Sequence, residues 1–366
     1  MKRIVVCCDG TWNSPAQKHV TNVFKLSSAV PETAADGTEQ RVYYDVGVGA
    51  GSLLERLPGL FGIGVGRNVR DAYRYVIENY EPGDELYFFG FSRGAYTVRS
   101  VVGMIRKCGV LRPDNHTAFD AAYRFYRDRK IAPGDEPAIA FRRKNSILIE
   151  GDDYVPRTRF LGVWDTVGAL GVPPGLFATP VQMLLEFVFN RGIRFHDVAL
   201  SRSVDHAYQA LAIDETRGDY QPAIWEQHPQ PEGQVLGQVW FAGCHTDVGG
   251  GSPDPGQSDR TLLWMAAKAE LAGLALDRAR LPASGGPADS PLHNSFVHVF
   301  KLRGFLRRPV GRGVPPETAT YFGGRSCESV DAAVLERHRL DSDYHPPNLI
   351  TYFRDNPAAL HPGRES

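Results

Sequence analysis

The stretch "ELYFFGFSRGAYTVRS", residues 85–100, decides how the rest of the chain is read. An apolar, aromatic run ends at Gly90, a serine follows between two glycines, and a helix-like period with Ala95, Val98, Val101 and Val102 begins at once. In G-x-S-x-G the serine occupies a sharp strand-to-helix turn, and the flanking glycines let backbones pass where a Cβ would clash. The turn lifts the hydroxyl above the sheet edge and points the unpaired N–H groups of the next helix at the same place. A nucleophile and half an oxyanion hole are then placed together. Gly90 and Gly94 could also be ordinary turn glycines, so Ser92 needs partners elsewhere in the chain.

The chain has 366 residues, 42% hydrophobic and 23% charged, with a net charge of −1, which describes an ordinary globular protein able to bury a large core. That charge gives no reason to expect a nucleic-acid or polyanionic partner. No run approaches the length of a membrane span. The start, "MKRIVVCCDGTWN", has an apolar run too short for a signal peptide and reads as a first strand, so the chain is expected to be cytoplasmic as synthesised. Five scattered cysteines without a C-x-x-C pair point to a reducing compartment and to no structural zinc.

Apolar runs at 3–8, 41–47, 85–90, 159–165, 234–243 and 296–302 alternate with helical periods near 67–80, 94–107, 117–130, 181–190, 202–211 and 260–272. Alternation of this kind argues an α/β fold with a mostly parallel sheet flanked by helices. No linker interrupts it, and "LPASGGPADSPLHN" (281–294) reads as a surface loop, so residues 1–366 are expected to form a single domain.

In parallel sheets ligands gather at the carboxyl ends of strands, so the residues that follow each run matter most. Ser92 follows the third, Asp165 follows "RFLGVW", and His245 follows "QVWFAGC". The order Ser, Asp, His is that of α/β-hydrolase triads. His245 is the expected base and Asp165 the acid that orients it. His206, on what reads as an amphipathic helix, is the rival histidine; Asp214 and Asp247 are the rival acids, Asp247 being better suited to ordering the glycines after it. The amide of Arg93 and those of Gly10 and Thr11, at the exit of the first strand, are the expected oxyanion donors.

Asp9-Gly10-Thr11 has a second reading. A strand ending in Asp-Gly-Thr resembles the nucleophile loop of haloacid-dehalogenase phosphatases, but the second carboxylate of their D-x-D is missing. "GVGAG" (47–51) and "GIGVG" (62–66) read as loops at the mouth of the site. Residues 168–200, apolar on most faces around Val181, Leu184, Leu185 and Val188, read either as a core helix or as a lid.

Six blocks, "CDGTWN", "GFSRGA", "GVWDTVGALG", "ALAIDETRGDYQPAIW", "WFAGCHTDVGGG" and "YHPPNL", resemble in order the catalytic domain of type VI secretion lipase effectors of the first Tle class. The resemblance implies a bacterial α/β-hydrolase with a Ser–Asp–His triad that deacylates phospholipids or related esters, carried block by block onto Ser92, Asp165 and His245. It implies no cofactor, a lipid ester as substrate, transient contact with a membrane surface, and export by a specialised secretion system. Effector members often carry a further C-terminal region thought to engage membrane; here the sequence stops soon after the last block, and a free-standing catalytic domain is expected. The alternatives are a metal-dependent phosphohydrolase built on Asp9 and a non-catalytic binding domain. Pairing with Asp165 should favour the charged imidazole and place the acidic limb of activity at or above about 6.5.

Overall fold

A computed structural model describes residues 1–10, 16–47, 61–115, 117–150, 154–167, 200–225, 232–295, 307–310 and 327–357. Seven strands form one sheet: β1 (Arg3–Cys8), β2 (Gln40–Asp45), β3 (Glu85–Phe91), β4 (Thr158–Trp164), β5 (Val204–Ala212), β6 (Val235–Phe241) and β7 (Glu328–Val330). Their order is β2-β1-β3-β4-β5-β6-β7 and every pairing is parallel, giving the α/β-hydrolase class of sheet.

The strands are apolar throughout because both faces are covered. Ile4, Val6, Leu86, Phe88, Leu161 and Val163 point to one face, under α2 (Phe61–Asn79), α3 (Arg93–Cys108) and α4 (Ala118–Arg127). Val5, Cys7, Phe89, Phe160 and Trp164 point to the other, under α1 (Asn22–Ala29) and α7 (Gly256–Leu271). Between α4 and β4 lies α5 (Glu136–Asn145), and α6 (His245–Gly249) follows β6. A smaller cluster around Trp240, Val334 and Phe353 packs α8 (Ala332–Leu340) and α9 (Pro347–Asp355) beside the last strands. From β1 the chain winds first to β2 and then, on the other side, to β3, with α1 and α2 on opposite faces. The carboxyl ends of β1 and β3 therefore flank the point where the winding reverses, the usual ligand crevice of an open parallel sheet.

Three readings of the sequence change here. The run at 202–211 holds the strand β5 (Val204–Ala212), not a helix. Ala207, Ala210, Leu211 and Ala212 are good helix formers, but they lie fully buried between β4 and β6, and sheet packing overrides propensity. "GIGVG" (62–66) is no mouth loop; it opens α2. The strand β7 and the short helices α1, α5, α6, α8 and α9 were not foreseen. The runs at 181–190 and 296–302, the lid segment 168–199, Thr11 and most of "GVGAG" lie outside the described residues.

Candidate active site

β3 ends at Phe91, and Ser92 turns the chain into α3 with φ 58° and ψ −120°. Among the described residues only Ser92 and Asp165 (φ 40°) combine a side chain with a left-handed φ. Such backbone costs about 1–3 kcal/mol per residue and persists where the surroundings over-determine it. Here they do. A Cβ on Gly94 would lie 2.0 Å from the Cys8 carbonyl oxygen, and one on Gly90 2.6 Å from the Ala95 backbone. The Ser92 amide donates to the Trp164 carbonyl at 3.0 Å, which ties the turn to the end of β4.

Asp165 is the next residue on that neighbouring strand and is fully buried. Its amide donates to Ala210 O (2.7 Å), and its Oδ1 accepts the Ala212 amide (3.1 Å), so β5 holds both its backbone and its carboxylate. Its Oδ2 lies 2.6 Å from His245 Nδ1. His245 is the first residue of α6, whose Cys244–Asp247 capping box fixes the helix start just beyond β6. The imidazole packs 4.5 Å from the Phe91 ring, centroid to centroid, so it lies against the residue that precedes Ser92. A carboxylate on Nδ1 makes that nitrogen the donor and leaves Nε2 as the basic one.

Burial alone would raise the Asp165 carboxyl, but the guanidinium of Arg308 and the bond to His245 outweigh it and hold it well below the usual carboxylate range. For His245 burial dominates. It pushes the imidazole below its ordinary 6.5 with help from Arg217, against the pull of Asp165 and Glu215. The expectation that pairing with Asp165 raises the imidazole is therefore reversed in direction: the carboxylate's pull is smaller than the cost of charging a ring out of water.

Arg308 and the pair Glu215–Arg217, none of them singled out by the sequence, help build this site. Arg308, wholly buried, donates to Asp165 Oδ1 (2.6 Å) and Oδ2 (3.0 Å). Glu215 accepts the His245 amide at 3.2 Å and two hydrogen bonds from Arg217, through Nε (2.9 Å) and Nη2 (2.8 Å). Arg217 in turn lies 3.5 Å over the Tyr220 ring, which meets the His245 ring edge-on at 4.8 Å. The Arg217 pair holds the Glu215 carboxyl down at about 2 against its burial. The block "DETRGDY" (214–220) after β5 carried this signal, whereas Arg308 lies 143 residues from its partner and nothing local marks it.

The remaining candidates go elsewhere. Asp214 Oδ2 accepts the Gly243 amide (2.6 Å) and the Tyr344 hydroxyl (3.0 Å). Asp247 accepts the Cys244 amide (3.0 Å) and faces His293. His206 sits near the start of β5, at the opposite end of the sheet from Asp165, paired in register with Phe160 and Val235. Asp9 is occupied at both oxygens: Oδ2 by the Thr21 and Tyr44 hydroxyls (2.6 Å each), Oδ1 by the Gly10 amide (2.6 Å). The Gly10 donor is thus turned onto Asp9. Arg93 begins α3, where helix geometry offers its amide no intrahelical carbonyl; burial lowers its guanidinium to about 10.

This is an α/β-hydrolase sheet with a buried Asp–His pair beside a strained serine turn. Residues 2–268 match the family model "T6SS, Phospholipase effector Tle1-like, catalytic domain", and the chain belongs to that family. An uncharacterized protein of Saccharomyces cerevisiae is 24% identical over 62% of this chain and 33% of its own length. A crystal structure of an uncharacterized protein from Pseudomonas aeruginosa covers 77% of this chain and 47% of its own, at 16% identity and a TM-score of 0.43. The structure of the Tle1 effector bound to the VgrG spike of the type 6 secretion system covers 69% and 52%, at 17% identity and a TM-score of 0.39. The chain thus spans 33% of the yeast relative and 47% and 52% of the two solved structures. No helix among the described residues is long and apolar enough to cross a membrane.

Proposed function

We propose that this chain is a serine hydrolase that deacylates phospholipids or closely related lipid esters through Ser92, His245 and Asp165. The observation that carries the reading is the 2.6 Å contact of Asp165 with His245 Nδ1, fully desolvated, beside the only other strained non-glycine turn among the described residues, Ser92.

His245 Nε2 takes the Ser92 proton as Oγ attacks the ester carbonyl. The imidazolium is stabilised by Asp165, which stays ionised throughout. Charge on the carbonyl oxygen is met by the Arg93 amide and a second amide from the exit of β1, Gly10 or Thr11; use of Gly10 requires that its bond to Asp9 open. His245 returns the proton to the leaving alcohol, and water then releases the acyl group by the same route. Transient contact with a membrane surface would deliver the substrate. Export by a type VI system follows from the family; engagement of a VgrG spike, seen for the Tle1 effector, is the corresponding reading for this chain. The phosphohydrolase alternative is the weaker one, because both oxygens of Asp9 already serve Thr21, Tyr44 and Gly10.

The test is labelling by a fluorophosphonate together with hydrolysis of phospholipid vesicles and p-nitrophenyl esters. Ser92→Ala should abolish labelling and lower kcat by about 10⁶-fold, as nucleophile removal does in the best-measured serine hydrolase. Turnover that survives in Ser92→Ala, or that needs a divalent ion, would overturn the reading.

A further inference from the structure

Arg308 lies outside the span matched by the family model, yet it makes more contacts to the proposed triad acid than the histidine does. We propose that Arg308 is a positioning residue of the lipid-ester hydrolase: it clamps the Asp165 carboxylate in the plane that meets His245 Nδ1 and takes up part of the carboxylate's charge. The inference rests on the reading of Ser92, Asp165 and His245 given above.

The geometry is that of a filled socket. One guanidinium nitrogen bridges Asp165 Oδ1 and the Ala212 carbonyl (2.6 and 3.0 Å); the other bridges Asp165 Oδ2 and the Tyr220 carbonyl (3.0 and 2.5 Å). Arginine alone offers a planar fork that can meet a carboxylate at two points while donating outward to two carbonyls. The block "YHPPNL" accounts for how the fork is held: Asn348 Nδ2 donates to the Arg308 carbonyl (3.2 Å) and to the Ile213 carbonyl (3.0 Å), joining α9 to the exit of β5. Tyr344 of the same block bonds Asp214 (3.0 Å). A motif with no place in the chemistry thus acquires one, as the support of the acid's clamp.

The charges around His245 come from four elements. Asp165 follows β4, Glu215, Arg217 and Tyr220 follow β5, Asp247 shares α6, and Arg308 faces Asp165 from the segment before α8. Two buried carboxylate–guanidinium pairs, Asp165–Arg308 and Glu215–Arg217, bracket the ring and cancel. An Asp–His pair so neutralised gains less from an added proton than a bare pair would. His245 remains a base in mildly acidic surroundings, in the direction its burial already sets. Without Arg308 the coupled pair takes up its proton at higher pH, wherever between the two residues that proton resides.

The experiment is the pH dependence of kcat/KM for a soluble acyl ester in wild type, Arg308→Gln and Arg308→Lys, with folding followed by circular dichroism. The wild-type acidic limb is expected below 6.5. In Arg308→Gln it should move up by about one pH unit or more, with a fall in kcat of about 10–100-fold, the scale seen when a supporting partner of a site is lost. Arg308→Lys, which keeps the charge without the fork, should fall between the two. If the glutamine variant does not fold, the lysine variant decides by itself, and an imidazole NMR titration of wild-type His245 gives an independent reading. A limb unmoved in the folded variants, or wild-type His245 titrating at or above 6.5, overturns the proposal. Ser92→Ala is run beside them. If it retains activity, the triad reading has failed; if it is dead while the limbs coincide, only the role of Arg308 has.

Discussion

The protein holds arginine–aspartate pairs at both ends of β4 and β5, and the two ends use the same chemistry to different effect. At the carboxyl end Arg308 and Asp165 are both wholly buried. At the amino end Asp205 faces Arg157 and Arg159, whose side chains are 60% and 38% exposed. Charges about 4 Å apart interact by about 1 kcal/mol in water and by about 4 kcal/mol at an effective dielectric of 20. The desolvated pair therefore acts more strongly on a neighbour's protonation. It is also the pair that cannot be halved without leaving an uncompensated charge. His206, one residue from Asp205, and His245, bonded to Asp165, illustrate the contrast. Burial lowers both imidazoles, but His206 stays partly exposed on a strand, whereas His245 is enclosed by two ion pairs and two rings.

The largest effect that could break this contrast is at the carboxyl end. Asp165→Asn should lower kcat/KM by about 10⁴-fold, because the amide leaves the histidine in the wrong tautomer. Asp214→Asn, half-buried and bonded to the Gly243 amide and the Tyr344 hydroxyl, should cost stability and no more than about tenfold in rate. Steady-state kinetics on the two folded variants separate them. If Asp214→Asn is the worse, the acid has been misassigned.

A second, intermediate effect concerns the turn instead of the charges. Gly94→Ala places a methyl 2.0 Å from the Cys8 carbonyl and 2.5 Å from that of Asp9, both backbone atoms that cannot step aside. A loss of at least about 3 kcal/mol in denaturant unfolding is expected, the upper range of overpacking. Gly134→Ala, which meets nothing within 4 Å, serves as the control and should stay within about 0.5 kcal/mol of wild type. Equal stability of the two variants would mean that the serine turn is looser than its contacts imply.

How much of this was legible in the sequence follows from how local each signal is. β1, β3, β4 and β6 could be read because strands buried on both faces are continuous apolar runs, and the Ser92 turn because glycines mark close backbone contact within a few residues. β5 could not, since alanine, glutamine and leucine favour helix until two neighbouring strands enclose them. The positions of Asp165 and His245 were visible as strand exits. Their chain order already suggested the pairing; the direction of the histidine shift was not visible, because it depends on what lies above the sheet. Arg308 had no local mark at all: its partner is 143 residues away, and the residues that seat it come from β5, the turn at Tyr220 and α9.

The smallest expected effect belongs to the amino end. Asp205→Asn removes the carboxylate shared by Arg157 and Arg159, the first pair bonding through Nε at 2.6 Å. Partly exposed pairs of this kind are worth about 0–1 kcal/mol, since water competes for both charges and the long side chains lose freedom on pairing. Arg159 also keeps a bond to the Ala272 carbonyl at 2.9 Å and a contact with Glu85, so the substitution does not strand it. Unfolding free energy should fall by less than about 1 kcal/mol, and by less again in molar salt, where screening already weakens the pair. kcat/KM should be unchanged, because no element carries the charge of Asp205 through the sheet to Asp165. A loss of several kcal/mol, or a shift in the acidic limb of activity, would show that burial does not separate the two ends as their exposures indicate.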